Sequence, residues 1–164
     1  MSSRTAGRAE LVDRLQSEMM QTVAAGMLFH QAVADRVGLS LSELKCLTLV
    51  ASEPTATAGD IAQATGLTTG AVTRLVDRLV DRGWVERHAD PHDRRRVLIR
   101  ALPGREGDVA PLYAGMAHAW AEALSGYDDA QISLLLDLFT RMRSVAHEQA
   151  AQLRSSAEPP GPRR

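Results

Sequence analysis

The heptapeptide PHDRRRV places Asp93, Arg94, Arg95 and Arg96 side by side, between the short apolar runs GWVERHAD and VLIRAL. Guanidinium groups carry a rigid fork of donors that matches phosphates and the edges of bases. Upstream, TTGAVTRLVDRLVDRG sets Thr68, Thr69, Gly70, Thr73, Arg74 and Arg78 at helical spacing on one face. Val72, Leu75, Val76 and Leu79 fall on the other. Short hydroxyls plus arginine suit a helix entering the major groove, and Gly70 removes a side chain where close approach is needed. The unpaired N–H groups at such a helix start suit a phosphate. Asp93 is out of place beside a polyanion. Its expected role is internal, holding the guanidinium of Arg95 two residues on.

Other chemistries find little support. No Ser/His/Asp arrangement has coherent context and no Gly-rich phosphate loop is present, so no enzyme is expected. His88 and His92 are four apart, but across a strand and a turn, so they lack the helical geometry of a metal pair. No metal or cofactor is expected. The single cysteine, Cys46, excludes an intrachain disulfide and a multi-thiolate zinc site. Among leucines it reads as an inert buried thiol, with oxidant sensing as the alternative. No run approaches the roughly 18 apolar residues of a membrane span. The start MSSRTAGRAE has no apolar leader core, so the expected location is cytoplasmic.

The net charge of −1 hides an asymmetry. From Thr68 to Arg105 nine arginines face five acids, a local balance of +4. Phosphate contact needs local charge, not total charge. The same segment therefore carries both the candidate face and the local excess that a double-stranded nucleic acid would meet.

The elements that must position these residues follow from periodicity and caps. Low aromatic content with abundant Ala, Leu, Arg and Glu predicts a mainly α protein. A first helix runs from about Arg8 to Val37, with Leu11, Leu15, Met19, Val23, Met27, His30, Ala34 and Val37 in stripe positions. It is too long for one small lobe, so it is expected to pack on a partner chain as well. Ser40 and Glu43 form a capping box for a second helix, and Thr57 with Asp60 opens a short third. A turn at Gly66–Leu67 leads to the fourth helix, from Thr68 to Gly83. Two strands flank the arginine turn as a β-hairpin. Helices at about Arg105–Ser125 and Asp128–Leu153 close the chain. Residues 1–7 and 155–164 are polar or Pro-rich and are expected to be disordered tails.

Helix, short helix, tight turn, helix and charged hairpin is the order of a winged helix-turn-helix. The stretch LSLSELKCLTLVASEPTATAGDIAQATGLTTGAVTRLVDRLVDRGWVERHADPHDRRRVLIRAL resembles the MarR family of bacterial transcription regulators. The resemblance implies a DNA-binding lobe over residues 39–102. It also implies a helical dimerisation region from residues 8–38 and 103–154. The implied protein is a homodimeric regulator, a repressor on a palindromic operator, with release by a small aromatic or amphipathic ligand a common further property. Thr68, Thr69, Thr73 and Arg74 fall on the family's recognition helix. Asp93 and Arg95 match its wing pattern, in which the Arg enters the minor groove, and Arg94 and Arg96 would lie near phosphates. The family's pocket implicates His30, Phe29 and Met27 in ligand binding, against plain packing roles. The family's usual LT after the second strand is Ala101-Leu102 here, which leaves the cap of the fifth helix open. The alternatives are a winged helix that binds protein instead of DNA, and a DNA binder with no effector.

Overall fold

Three reciprocal caps set where helices begin. Ser40, Thr57 and Asp128 each accept a hydrogen bond from the backbone N–H three residues on, and the side chain at that position bonds back to the cap. Each cap satisfies two of the four N–H groups that a helix start leaves open. The computed structural model describes residues 2–93 and 95–156. Its helices are α1 (Ser2–Val37), α2 (Leu41–Ser52), α3 (Ala58–Thr65), α4 (Thr69–Asp81), α5 (Glu106–Leu124) and α6 (Asp129–Ser155). The strands β1 (Val85–Ala89) and β2 (Val97–Ala101) lie between α4 and α5. The mainly α architecture with a two-stranded hairpin agrees with the expected fold class.

Two compact units divide between Ala114 and Gly115. In the first, Ile61 of α3 and Val72, Leu75, Val76 and Leu79 of α4 are buried with Cys46, Leu47 and Val50 of α2. Burying such a side chain contributes roughly 1.5–3 kcal/mol each, so the inner face of α4 is held firmly. Gly66 (φ 72°) turns the chain from α3 into α4, and Gly83 (φ 67°) turns it from α4 into the hairpin. Trp84 occupies this second turn, just before β1. It is buried, and its N–H donates to the Leu79 carbonyl at 2.8 Å. β1 and β2 pair antiparallel, from Val85↔Ala101 at the base to Ala89↔Val97 near the tip. The Ile99 N–H donates to the Ala56 carbonyl at 2.8 Å, docking the hairpin on the α2–α3 connection.

The start of α1 corrects one expectation. Helix runs from Ser2 instead of Arg8, so 2–7 is not an unstructured lead. No proline intervenes, and Gly7 costs only about 1 kcal/mol in a helix. At the other end, 157–164 lie outside the described residues.

Glu43 joins elements that are far apart in sequence. Its carboxylate accepts from the Ser40 N–H (2.9 Å) and from Arg78 Nε (2.8 Å), with Arg82 Nη1 at 3.9 Å. Arg82 also donates to the Gly38 carbonyl at 2.7 Å. Burial by itself would raise the Glu43 carboxyl. The Ser40 N–H and the Arg78 guanidinium outweigh it and hold the group below its ordinary value of 4.5. A lowered carboxyl contributes stability that is present above the unfolded value and lost as pH falls through the folded one. Glu43→Gln keeps the shape and removes the charge. Urea denaturation at pH 7 should show a loss of roughly 1–3 kcal/mol, and the gap between the two proteins should close below about pH 4. An equal gap at pH 7 and pH 3 would show that charge is not the source.

Candidate nucleic-acid interface

The outer face of α4 is built from the residues expected there. Thr68 is its N-cap, accepting from the Ala71 N–H. Thr69, Gly70, Thr73 and Arg74 are all exposed. A Cβ at Gly70 would meet no atom within 4 Å, so nothing inside the chain requires a glycine there. The Thr73 hydroxyl donates to the Thr69 carbonyl at 3.1 Å, which leaves its oxygen able to accept.

The nine arginines of this segment sort sharply by what they touch. Arg78 is held by Glu43, Arg82 by Gly38, and Arg87 by Asp77 at 2.6 Å. Arg100 donates to the Pro54 carbonyl at 3.2 Å. Arg105 donates to the carbonyls of Gly83 and Arg82 and pairs with Asp108. Arg96 pairs with Asp90 at 3.5 Å. Most of the local positive excess is therefore internal stapling, a use that counting charges along the chain does not reveal. Among the described residues, the guanidinium groups of Arg74 and Arg95 have no partner, and both are exposed. Arg94 lies outside the described residues.

One wing expectation needs correction. Asp93 accepts from the backbone N–H of Arg95 at 3.0 Å and does not hold its guanidinium. A short carboxylate two residues before an N–H closes a local turn more readily than it reaches a flexible side chain. Arg96, placed near phosphates by the family resemblance, pairs with Asp90 while its side chain stays half exposed. Asp90 is the residue that sequence reasoning missed. It is buried, and its carboxylate accepts from the His92 N–H (2.8 Å) and the Asp93 N–H (3.3 Å). Its own N–H donates to the Arg96 carbonyl at 3.1 Å, closing the hairpin below the tip. The His92 N–H leads in holding this carboxyl below its ordinary value, with the Asp93 N–H and Arg96 adding to it. The Asp-Pro at 90–91, a turn starter, was the available signal.

The candidate ligand residues separate. His30 Nδ1 lies 2.9 Å from the Tyr113 hydroxyl. Phe29 packs edge-on against Tyr113, with ring centroids 5.4 Å apart. Met27 is exposed and does not line the cavity that His30 borders, because α1 carries it onto a different face. Cys46 is fully buried and burial pushes its thiol up to about 12, which keeps it protonated and unreactive.

If Asp90 organises the tip, Asp90→Ala should speed amide hydrogen exchange at His92 and Asp93, while amides of α4 keep their protection. Unchanged exchange at both positions would assign the turn to Asp93 alone.

Comparison with known proteins places this geometry. The model described as MarR family matches residues 37–96. The relative named "Uncharacterized HTH-type transcriptional regulator YcgE", from Bacillus subtilis (strain 168), is 31% identical over 128 residues, 78% of this chain and 83% of its own. A MarR family protein from Bacillus stearothermophilus superposes with a TM-score of 0.65 at 20% identity, over 84% of this chain and 96% of that one. The transcriptional regulator SlyA does so with a TM-score of 0.59 at 21% identity, over 86% and 99%. At such identities the structural likeness speaks for the fold alone.

Proposed function

Starting from the fact that the chain belongs to the MarR family, and so to DNA-binding transcription regulators and not to enzymes, we propose that it is a homodimeric repressor of a palindromic operator, released by a small molecule. In this reading α4 enters the major groove. Thr69, Thr73 and Arg74 meet base edges, and the N–H groups that follow Thr68 meet a phosphate. Gly70 keeps the helix close. Arg95 reaches from the hairpin into the neighbouring minor groove, where a narrow groove concentrates negative potential. Arg94 and Arg96 lie near the backbone, Arg96 while still paired to Asp90, and Arg78 and Asp93 act by holding α4 and the tip in place.

The observation that carries this reading is the pair of unengaged guanidinium groups, Arg74 on α4 and Arg95 on the hairpin. Two unpaired cations on adjacent elements offer an external polyanion two points of attachment. The homodimer is supported by apolar side chains left uncovered in each unit. Leu11, Leu15 and Val23 are exposed on α1, and Trp120, Leu136 and Phe139 are exposed on α5 and α6. Apolar area on that scale marks an interface. The proposed dimerisation region is residues 8–38 with 103–154, and the proposed DNA-binding lobe is 39–102. Twofold symmetry then sets two recognition helices about one turn of duplex apart, roughly 34–36 Å.

Fluorescence anisotropy on a duplex selected from a random pool tests the contacts. Arg95→Ala and Arg74→Ala should each lower affinity and reduce the slope of log K against log salt by about 1 per protomer, about 2 for the dimer. Arg74→Ala should also relax sequence preference, by about 1–3 kcal/mol of discrimination. Arg100→Ala, which removes a staple, should leave the salt slope unchanged. A slope unaltered by Arg95→Ala removes the wing from the interface.

Sedimentation tests assembly. The protein should sediment as a dimer at micromolar concentration, and Phe139→Glu should shift it to monomer with its helical circular dichroism retained. A wild-type monomer overturns the twofold arrangement.

A further inference from the structure

α1 and α4 finish in the same way. The Leu39 N–H returns to the Ala34 carbonyl and the Trp84 N–H to the Leu79 carbonyl, both at 2.8 Å. These bonds close each last turn, but carbonyls at the very end of a helix are left facing outward. Two arginines meet them. Arg82, at the end of α4, donates from Nη2 to the Gly38 carbonyl at the end of α1, at 2.7 Å. Arg105, immediately before α5, donates from Nη2 to the Arg82 carbonyl at 3.2 Å and from Nε to the Gly83 carbonyl at 3.3 Å. A cation on terminal carbonyls is also favoured by the helix dipole. The arginines thus join three elements in series, from α1 to α4 to the start of α5.

Both guanidinium groups are steadied from the side. Glu43 lies 3.9 Å from Arg82 Nη1, and Asp108 lies 3.1 Å from Arg105 Nη1. Arg105 also sits over Trp84, 4.7 Å from the ring centroid. Yet the two side chains stay 42% and 44% exposed, so shortening their polar ends would not empty the core.

Apolar packing attaches α1 and α5 to the lobe by another route. Val33 and Ala34 of α1 are buried with Leu44 of α2, and Val109 and Tyr113 of α5 pack against them. Val37 and Val109 also edge onto the main core. Such contacts set how near the helices lie, but they are non-directional and resist rotation weakly. Hydrogen bonds to fixed carbonyls are directional and resist it. Among the described residues, Arg82 and Arg105 make the side-chain hydrogen bonds that tie the end of α4 to α1 and to the start of α5.

We propose that Arg82 and Arg105 are positioning residues that fix α4 relative to the dimerisation helices, and so set which half-site spacing the dimer accepts. The spacing consequence rests on the twofold operator reading above. In a twofold pair, any rotation of α4 about this joint changes the separation and the angle of both recognition helices. One added base pair moves a half-site by about 3.4 Å and turns it by roughly 35°. A stiff joint makes that displacement costly, and a loose one absorbs it.

The test uses full-length protein and the selected duplex, with the distance between its half-sites changed by one base pair in either direction. The wild-type dimer should lose at least about tenfold in affinity for either change, because protein or duplex must then strain. Arg82→Met and Arg105→Met keep the apolar stem and should retain helical circular dichroism and the dimer. Each should shrink the spacing penalty by about three- to tenfold, the worth of a single hydrogen bond. Affinity for a duplex carrying one half-site should stay within about twofold of wild type. Arg100→Ala, which frees a staple away from this joint, should keep the full penalty. A wild-type penalty in both Met variants overturns the proposal, and so does equal shrinkage in Arg100→Ala. A wild-type dimer that binds every spacing equally overturns it too, while leaving DNA binding by a dimer in place. A wild-type protein that is monomeric or binds no duplex overturns the operator reading, and the role of the joint with it.

Discussion

The Glu43 carboxylate meets the start of α2 through the Ser40 N–H and the last turns of α4 through Arg78, with Arg82 close enough to share its field. Arg82 in turn grips the carbonyl end of α1 at Gly38. Apolar burial decides which face of α4 points inward, but burial alone is non-directional and tolerates small rotations about the helix axis. A charge-assisted hydrogen bond near a helix end restricts that freedom. The orientation of Thr69, Thr73 and Arg74 thus depends on a carboxylate that lies on another helix and takes no part in the exposed face itself.

The hairpin is placed by the same logic with different groups. The Ile99 N–H donates to the Ala56 carbonyl and the Arg100 side chain donates to the Pro54 carbonyl, which fixes the base against the α2–α3 connection. Arg87 ties its first strand to Asp77 on α4. At the far end Asp90 gathers two N–H groups and Arg96, so the turn has its own internal closure. Arg95 is left as a projecting group, while Arg96 is engaged with Asp90. A single acid in the turn therefore does more to define the tip than the three arginines that first draw notice.

What could be read before any coordinates was local. The capping boxes at Ser40 and Thr57, the inner face of α4 from Val72 to Leu79, and the hairpin between Trp84 and Leu102 all leave signals within a few residues. The uses of Arg78, Arg82 and Arg105 did not, because their partners are Glu43, the Gly38 carbonyl and the Arg82 and Gly83 carbonyls, distant in sequence or marked by no residue type. His30 and Tyr113 are 83 positions apart, and only folding brings them into hydrogen-bond reach. Met27 shows the converse limit. It fits the periodicity of α1, yet periodicity does not tell which part of a long helix is covered by its own chain. The early start of α1 at Ser2 reflects composition that permits a helix without announcing one.

The stapling of the arginines bears on how such a protein would move through a nucleoid. Attraction to arbitrary duplex grows with the number of phosphates a surface can neutralise, and guanidinium groups already satisfied at home add little to that number. A net charge of −1 adds a weak repulsion at long range. Few molecules would then be stranded on irrelevant genomic sequence, and a modest copy number would suffice to keep a true target occupied.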